Sequence, residues 1–134
     1  MFPWVKRRRR VRATTATKHY LAHKESTRSL TLARLQHYNE HYQLTWNRVA
    51  IRNQRRCWGS CSANKNLNFN YKIQFLPPHL RDYIIVHELC HLTHLNHGKE
   101  FWNLVAEQVP DYAKCIKELR EIDAKGHKHL LTAM

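Results

Sequence analysis

The stretch His87-Glu88-Leu89-Cys90-His91 sets two imidazoles four residues apart with a carboxylate between them. On a helix, residues at that spacing lie one above the other, so His87 and His91 can direct their rings at one ion. Glu88 lies about 100° around the helix from His87, near enough to serve a water on that ion without binding it. Imidazole nitrogens suit zinc, and a reactive zinc site keeps one position for water. The chemistry this implies is metal-assisted hydrolysis. Zinc lowers the pKa of its water toward 7 and polarises a carbonyl, while Glu88 accepts the water's proton and passes it to the leaving amine.

In a chain with 11 His and 7 Glu, H-E-x-x-H arises by chance roughly 5% of the time; requiring a further His six residues on lowers this to roughly 0.4%. His97 meets that requirement, giving the H-E-x-x-H-x-x-x-x-x-H spacing of metzincin sites, with His94 standing where those have Gly. Three candidates compete for the third ligand. On a continuing helix His94 would stand two turns, about 10.5 Å, from His87, and three ligands stacked along one face converge poorly on one ion. A chain that leaves the helix near Asn96 can swing His97 back over the metal, so His97 is preferred and His94 reads as a cleft-wall or surface residue. Glu100 is a weaker candidate, in the manner of His2Glu sites.

The elements that must hold these groups follow from periodicity. Ile85, Leu89 and Leu92, flanked by Val86, fall on the face opposite His87 and His91, which predicts a helix over 78–95 with an apolar core side and a histidine-bearing cleft side. Pro78 suits its first turn, and Asn96-His97-Gly98 reads as its stop. Residues 14–42, free of Pro and Gly, predict one long helix or two meeting near Glu25-Ser26. Alternation over Trp46–Asn53 and Asn66–Tyr71 predicts two strands, read as an antiparallel pair joined through a turn region at Trp58–Lys65. Amphipathic segments over 99–108 and 111–123 are separated by Pro110, with Phe101, Trp102 and Val105 expected in the core behind the site. Helix, strands, then helices make an α+β domain.

With 134 residues and 43% hydrophobic content, one folded domain is expected. No stretch approaches the ~20 apolar residues that would cross a bilayer, so no membrane partner is expected. The net charge is +13, and residues 1–24 carry eight Lys/Arg and no acid. The run Lys6–Arg12 lacks the apolar segment a secretory signal needs, which places the four Cys in a reducing, cytoplasmic setting. It reads as a solvated tail that could contact nucleic acid or another polyanion. The expected organisation is a basic, partly helical tail over 1–24, a catalytic domain over 25–124 and a short tail over 125–134.

Ile51-Arg52-Asn53-Gln54, Cys57-Trp58-Gly59-Ser60-Cys61-Ser62, Tyr83 through His91, Asn96-His97 and Phe101-Trp102 together resemble the YgjP-like (DUF45) metallopeptidase family. The resemblance spans about Lys24 to Arg120. It implies His87, His91 and His97 as zinc ligands, Glu88 as catalytic base, and a zincin-like minimal core similar to that of SprT-type proteases: a small antiparallel sheet packed against the active-site helix. A basic tail stands where longer members carry a β-rich region.

The leading function is therefore a zinc metallopeptidase acting on peptide or protein substrates. Arg56, Tyr112 and the backbone near Trp58-Gly59-Ser60 are candidate oxyanion or substrate contacts, and a free strand edge on Leu67–Tyr71 or Trp46–Asn53 could hold a peptide as an added strand. One alternative is a metal-dependent nucleotide pyrophosphohydrolase using Arg48, Arg52, Arg55 and Arg56, weakened by the lack of a Gly-rich phosphate loop. Another is a nucleic-acid-associated protease or binding module, drawing on the charge and on aromatics such as Trp4. Cys57 and Cys61 have zinc-compatible spacing but no second pair, and read as ordinary thiols. Cys90 reads as a packing thiol, His127 and His129 as an exposed tail, and Ser60 and Ser62 do not match G-x-S-x-G.

Overall fold

The computed structural model describes residues 14–126. The basic run Lys6–Arg12, Trp4, His127 and His129 lie outside the described residues. Four helices and three strands follow in the order α1 (Thr15–Tyr42), β1 (Arg48–Arg52), β2 (Gly59–Cys61), β3 (Asn66–Asn70), a 3-10 turn (Tyr71–Phe75), α2 (Pro78–Cys90), α3 (Lys99–Ala106) and α4 (Tyr112–Lys125). The architecture is the expected α+β, zincin-like core, a small sheet packed against helices. No helix among the described residues is long and apolar enough to cross a membrane.

Helix α1 is a single helix through Glu25-Ser26 and includes residues 15–24. Thr14 caps its start by accepting from the Thr17 amide at 3.1 Å. Thr27, Thr31 and Leu35, four apart, form its buried stripe. Its end uses neither Gly nor Pro: Gln43 adopts a left-handed conformation, and the Asn39 side chain exchanges two 2.8 Å bonds with the Leu44 backbone.

The sheet corrects the expected strand pairing. Its order is β1-β3-β2, with β1 parallel to β3 and β2 antiparallel to it. Alternation identified the inward residues correctly, since Val49, Ile51, Leu67 and Phe69 are buried, but alternation reports a face and carries no direction. Part of the expected turn region is strand β2, which returns to β3 through a tight turn where Lys65 takes a positive φ of 62° and its amide bonds the Ser62 carbonyl at 3.0 Å. Strand β3 is therefore central, so Leu67–Tyr71 offers no free edge. On β1, the outward carbonyls of Val49 and Ile51 accept from Arg28 Nη1 at 3.1 Å and Tyr20 Oη at 2.9 Å, so side chains of α1 occupy that edge as well. The remaining edge is β2.

Helix α2 packs against α1, β2, α3 and α4. Ile85, Val86 and Leu89 are fully buried as expected, and Leu92 is partly buried against the core. The helix ends at Cys90, about five residues before the expected stop; the amides of Leu92 and Thr93 bond carbonyls three residues back, at Leu89 and Cys90. This 3-10 tightening releases the chain without a Gly, and Gly98 instead caps the start of α3.

Asp82 ties α1 to α2. Its carboxylate accepts from Arg34 Nη2 at 2.8 Å, Tyr38 Oη at 2.9 Å and Arg81 Nε at 2.9 Å. Burial alone would raise this carboxyl, but the bonds from Arg34, Arg81 and Tyr38 outweigh it and hold it below its ordinary 3.8. A group depressed on folding contributes stability above its unfolded value and loses it as pH falls through the folded one. Asp82→Ala is expected to lower unfolding free energy by about 2 kcal/mol at pH 7. In urea titrations the gap between wild type and variant should narrow as pH falls below 3.8; a constant gap would contradict this role.

Candidate metal centre

The Nε2 atoms of His87, His91 and His97 form a near-equilateral triangle with separations of 3.1 Å (His87–His91), 3.1 Å (His91–His97) and 3.3 Å (His97–His87). Each of these side chains can offer one ligand atom to a common ion, and they are the one such group among the described residues. His87 and His91 reach it from successive turns at the end of α2. His97 reaches it from the connection between α2 and α3, as the swing-back reading expects, although the helix is left earlier than Asn96.

Two of the rings are held through their other nitrogen. His91 Nδ1 lies 2.9 Å from the His94 carbonyl, so Nδ1 carries the proton and Nε2 of the neutral ring presents a lone pair. His87 Nδ1 lies 3.0 Å from Tyr83 Oη, one turn earlier on the same helix face. Burial, then the nearness of His91 and His97, drives His87 down to about 3; burial likewise lowers His91, with a smaller push from His97. Neither ring is protonated at neutral pH on these shifts. Lone pairs converging at 3.1 Å repel unless a cation lies between them. Tetrahedral donors at about 2.0–2.1 Å from zinc stand about 3.3–3.4 Å apart, close to the observed triangle, so the donor set fits such an ion.

Helix α3 forms the wall around the rings. Phe101, fully buried, stacks on His91 (4.4 Å between centroids, 17°) and meets His87 at 5.0 Å and His97 at 5.1 Å edge-on. Trp102 stacks on His97 (5.7 Å, 26°), and Tyr112 stacks on Trp102 (4.8 Å, 16°). Phe101 and Trp102 were expected behind the site; they touch it, because the early end of α2 brings the start of α3 over the rings. Tyr83 and this aromatic packing are the features sequence reasoning missed. The position of Tyr83 four residues before His87 was an available signal.

Glu88 is 6% exposed. Burial pushes its carboxyl up to about 8, with no compensating partner among the described residues. The backbone of β2 runs directly against it: a Cβ on Gly59 would stand 2.9 Å from both Glu88 Cγ and Oε2, and 3.1 Å from the Asn68 carbonyl oxygen. Only a residue without a side chain admits this approach. Together Gly59, Ser60, Cys61, Glu88, Leu95 and the three histidines line a cavity of about 210 Å³.

The other candidates fall around this cavity. Ser60 lines it, and Trp58 lines the neighbouring one. Arg56 is exposed, and neither it nor Tyr112 is among the cavity-lining residues, nor are Arg48, Arg52 and Arg55; Arg52 instead bonds Asn68 Oδ1 at 3.3 Å on the sheet. His94 turns its ring toward Glu100, 3.7 Å away, whose side chain is 84% exposed, and neither joins the cluster. Cys57 and Cys61 are free thiols outside any metal-ligating group among the described residues, and Cys90 is buried as a packing thiol. Burial, then the charge of Glu88, pushes Cys61 up to about 11, which keeps it a neutral thiol.

Comparison with known proteins agrees with this architecture. The crystal structure of the metallopeptidase zymogen abylysin from Pyrococcus abyssi is similar in fold, with a TM-score of 0.60 at 21% identity, covering 71% of this chain and 93% of that one. No curated protein matches the sequence. The model of the YgjP-like metallopeptidase domain matches residues 6–122. The chain belongs to the YgjP-like metallopeptidase domain family.

Proposed function

We propose that the protein is a zinc-dependent peptidase in which His87, His91 and His97 hold the ion and Glu88 moves the proton. The observation that carries this reading is the convergence of three imidazole nitrogens, 3.1–3.3 Å apart, on a cavity that also contains the Glu88 carboxyl. Zinc held there would supply an acidified water and a Lewis acid for a carbonyl.

The chain's own groups do the rest. Tyr83 and the His94 carbonyl fix the ring orientations of His87 and His91, leaving their Nε2 lone pairs for the ion. Burial raises the proton affinity of Glu88, so within this cavity it can hold a proton taken from water until the leaving group accepts it. It takes a proton from the attacking water and returns it to the leaving amine.

Strand β2 is suited to carry the substrate. The Trp58 carbonyl and Ser62 amide bond β3, so by alternation the backbone groups of Gly59 and Cys61 face the opposite edge. A peptide laid there as an added strand passes beside Glu88. Ser60 and the adjacent backbone are the nearest candidates to steady a developing oxyanion.

Four substitutions separate the roles. Glu88→Gln should keep one zinc per chain, measured by elemental analysis, and lower peptide hydrolysis by at least roughly 100-fold; retained activity would remove Glu88 from the mechanism. His97→Ala should lose zinc while His94→Ala keeps it, and the reverse would reassign the third ligand. Tyr83→Phe deletes the partner of His87 Nδ1 and should weaken zinc affinity roughly 10–100-fold in a chelator competition. Unchanged affinity would show that the 3.0 Å contact does no orienting.

A further inference from the structure

A second cavity, of about 170 Å³, lies beside Glu88. It shares Gly59, His87 and Glu88 with the metal cavity, so the two are neighbouring compartments of one cleft. Its remaining walls are Trp58, Tyr83, Ile84 and Leu119. The polar ends of both aromatic residues already have partners: Trp58 Nε1 donates to Asp123 Oδ1 at 2.9 Å, and Tyr83 Oη lies 3.0 Å from His87 Nδ1. What they present to the cavity is ring carbon, beside the methyl groups of Ile84 and Leu119.

We infer that this cavity is the specificity subsite of the peptidase, receiving one large apolar side chain (Leu, Ile, Met or Phe) from a residue flanking the scissile bond. The assignment rests on the peptidase reading above and commits its substrate class. A side chain at Gly59 would collide with Glu88, a residue that both compartments share. A peptide running along the outer edge of β2 sends successive side chains to opposite faces, so only one residue of it can enter the cavity. Polar competitors give up their hydration there against walls that are mostly apolar, Glu88 being the one ionisable carboxyl among them.

The test profiles cleavage of a peptide library by the zinc-loaded full chain and by Leu119→Phe, which narrows the cavity from its α4 wall. For the wild type, Leu, Ile, Met and Phe should be enriched at a single flanking position, with kcat/KM at least roughly tenfold above the Ala analogue. Leu119→Phe should erase that advantage by lowering kcat/KM for the Leu, Ile, Met and Phe peptides at least roughly tenfold more than for the Ala analogue, with zinc still at one per chain. Equal cleavage of Leu and Ala analogues by the wild type, or uniform slowing of all peptides in the variant, overturns the assignment. Methyl NMR of the zinc-loaded full chain gives a second readout that needs no turnover. N-acetyl-leucinamide should shift the Ile84 and Leu119 methyl signals and N-acetylglycinamide should not. Absence of that difference overturns the subsite even if peptides are cleaved. Methyl shifts with no cleavage of any peptide overturn the peptidase reading instead.

Discussion

Three imidazole nitrogens held within 3.3 Å of one another are the constraint around which this small domain is organised. Neutral rings packed this way oppose their lone pairs, with His91 buried, His87 half-buried and His97 exposed. The arrangement is tolerable only because the surrounding residues fix it and a cation can resolve it. Tyr83 and the His94 carbonyl hold two rings at Nδ1, and Phe101 touches all three. The same packing that depresses the basicity of His87 and His91 keeps them available as ligands at neutral pH, since a protonated ring cannot bind a metal.

Each element contributes one thing to that arrangement. Helix α2 supplies two of the three imidazoles and the Glu88 carboxyl in register. Its early end frees the chain to return His97, and α3 closes over the rings with Phe101 and Trp102. Strand β2 supplies a backbone close enough to crowd Glu88, which Gly59 alone permits. Helix α1 covers the far edge of the sheet through Tyr20 and Arg28. The edge that α1 leaves uncovered is that of β2, whose Gly59 lies against Glu88, so sheet order and the surroundings of Glu88 are linked.

Much of this was legible from the sequence, for identifiable reasons. Helical spacing is a local property, so His87, Glu88 and His91 could be placed on one helix and Ile85, Val86 and Leu89 on its buried side. The return of His97 followed from a geometric impossibility, the poor convergence of three ligands stacked on one helix. Properties set by tertiary contact were not legible. Three residues reading Gly-Ser-Cys carry no strand signal, so β2 passed as turn and the parallel pairing of β1 with β3 went unseen. The end of α2 has no Gly at Cys90 or His91 to announce it. Phe101 and Trp102 read as core because an apolar stripe does not reveal whether its partner is another apolar side chain or an imidazole face.

The central claim is that these three nitrogens bind one zinc ion and leave it a vertex for water. X-ray absorption at the zinc edge of the purified chain addresses it without requiring a substrate. The account predicts four-coordinate zinc with three imidazole nitrogens and one light oxygen scatterer at about 2.0–2.1 Å. A sulfur shell near 2.3 Å, which would bring in one of the cysteines, or a fourth protein nitrogen in place of the oxygen, would contradict it.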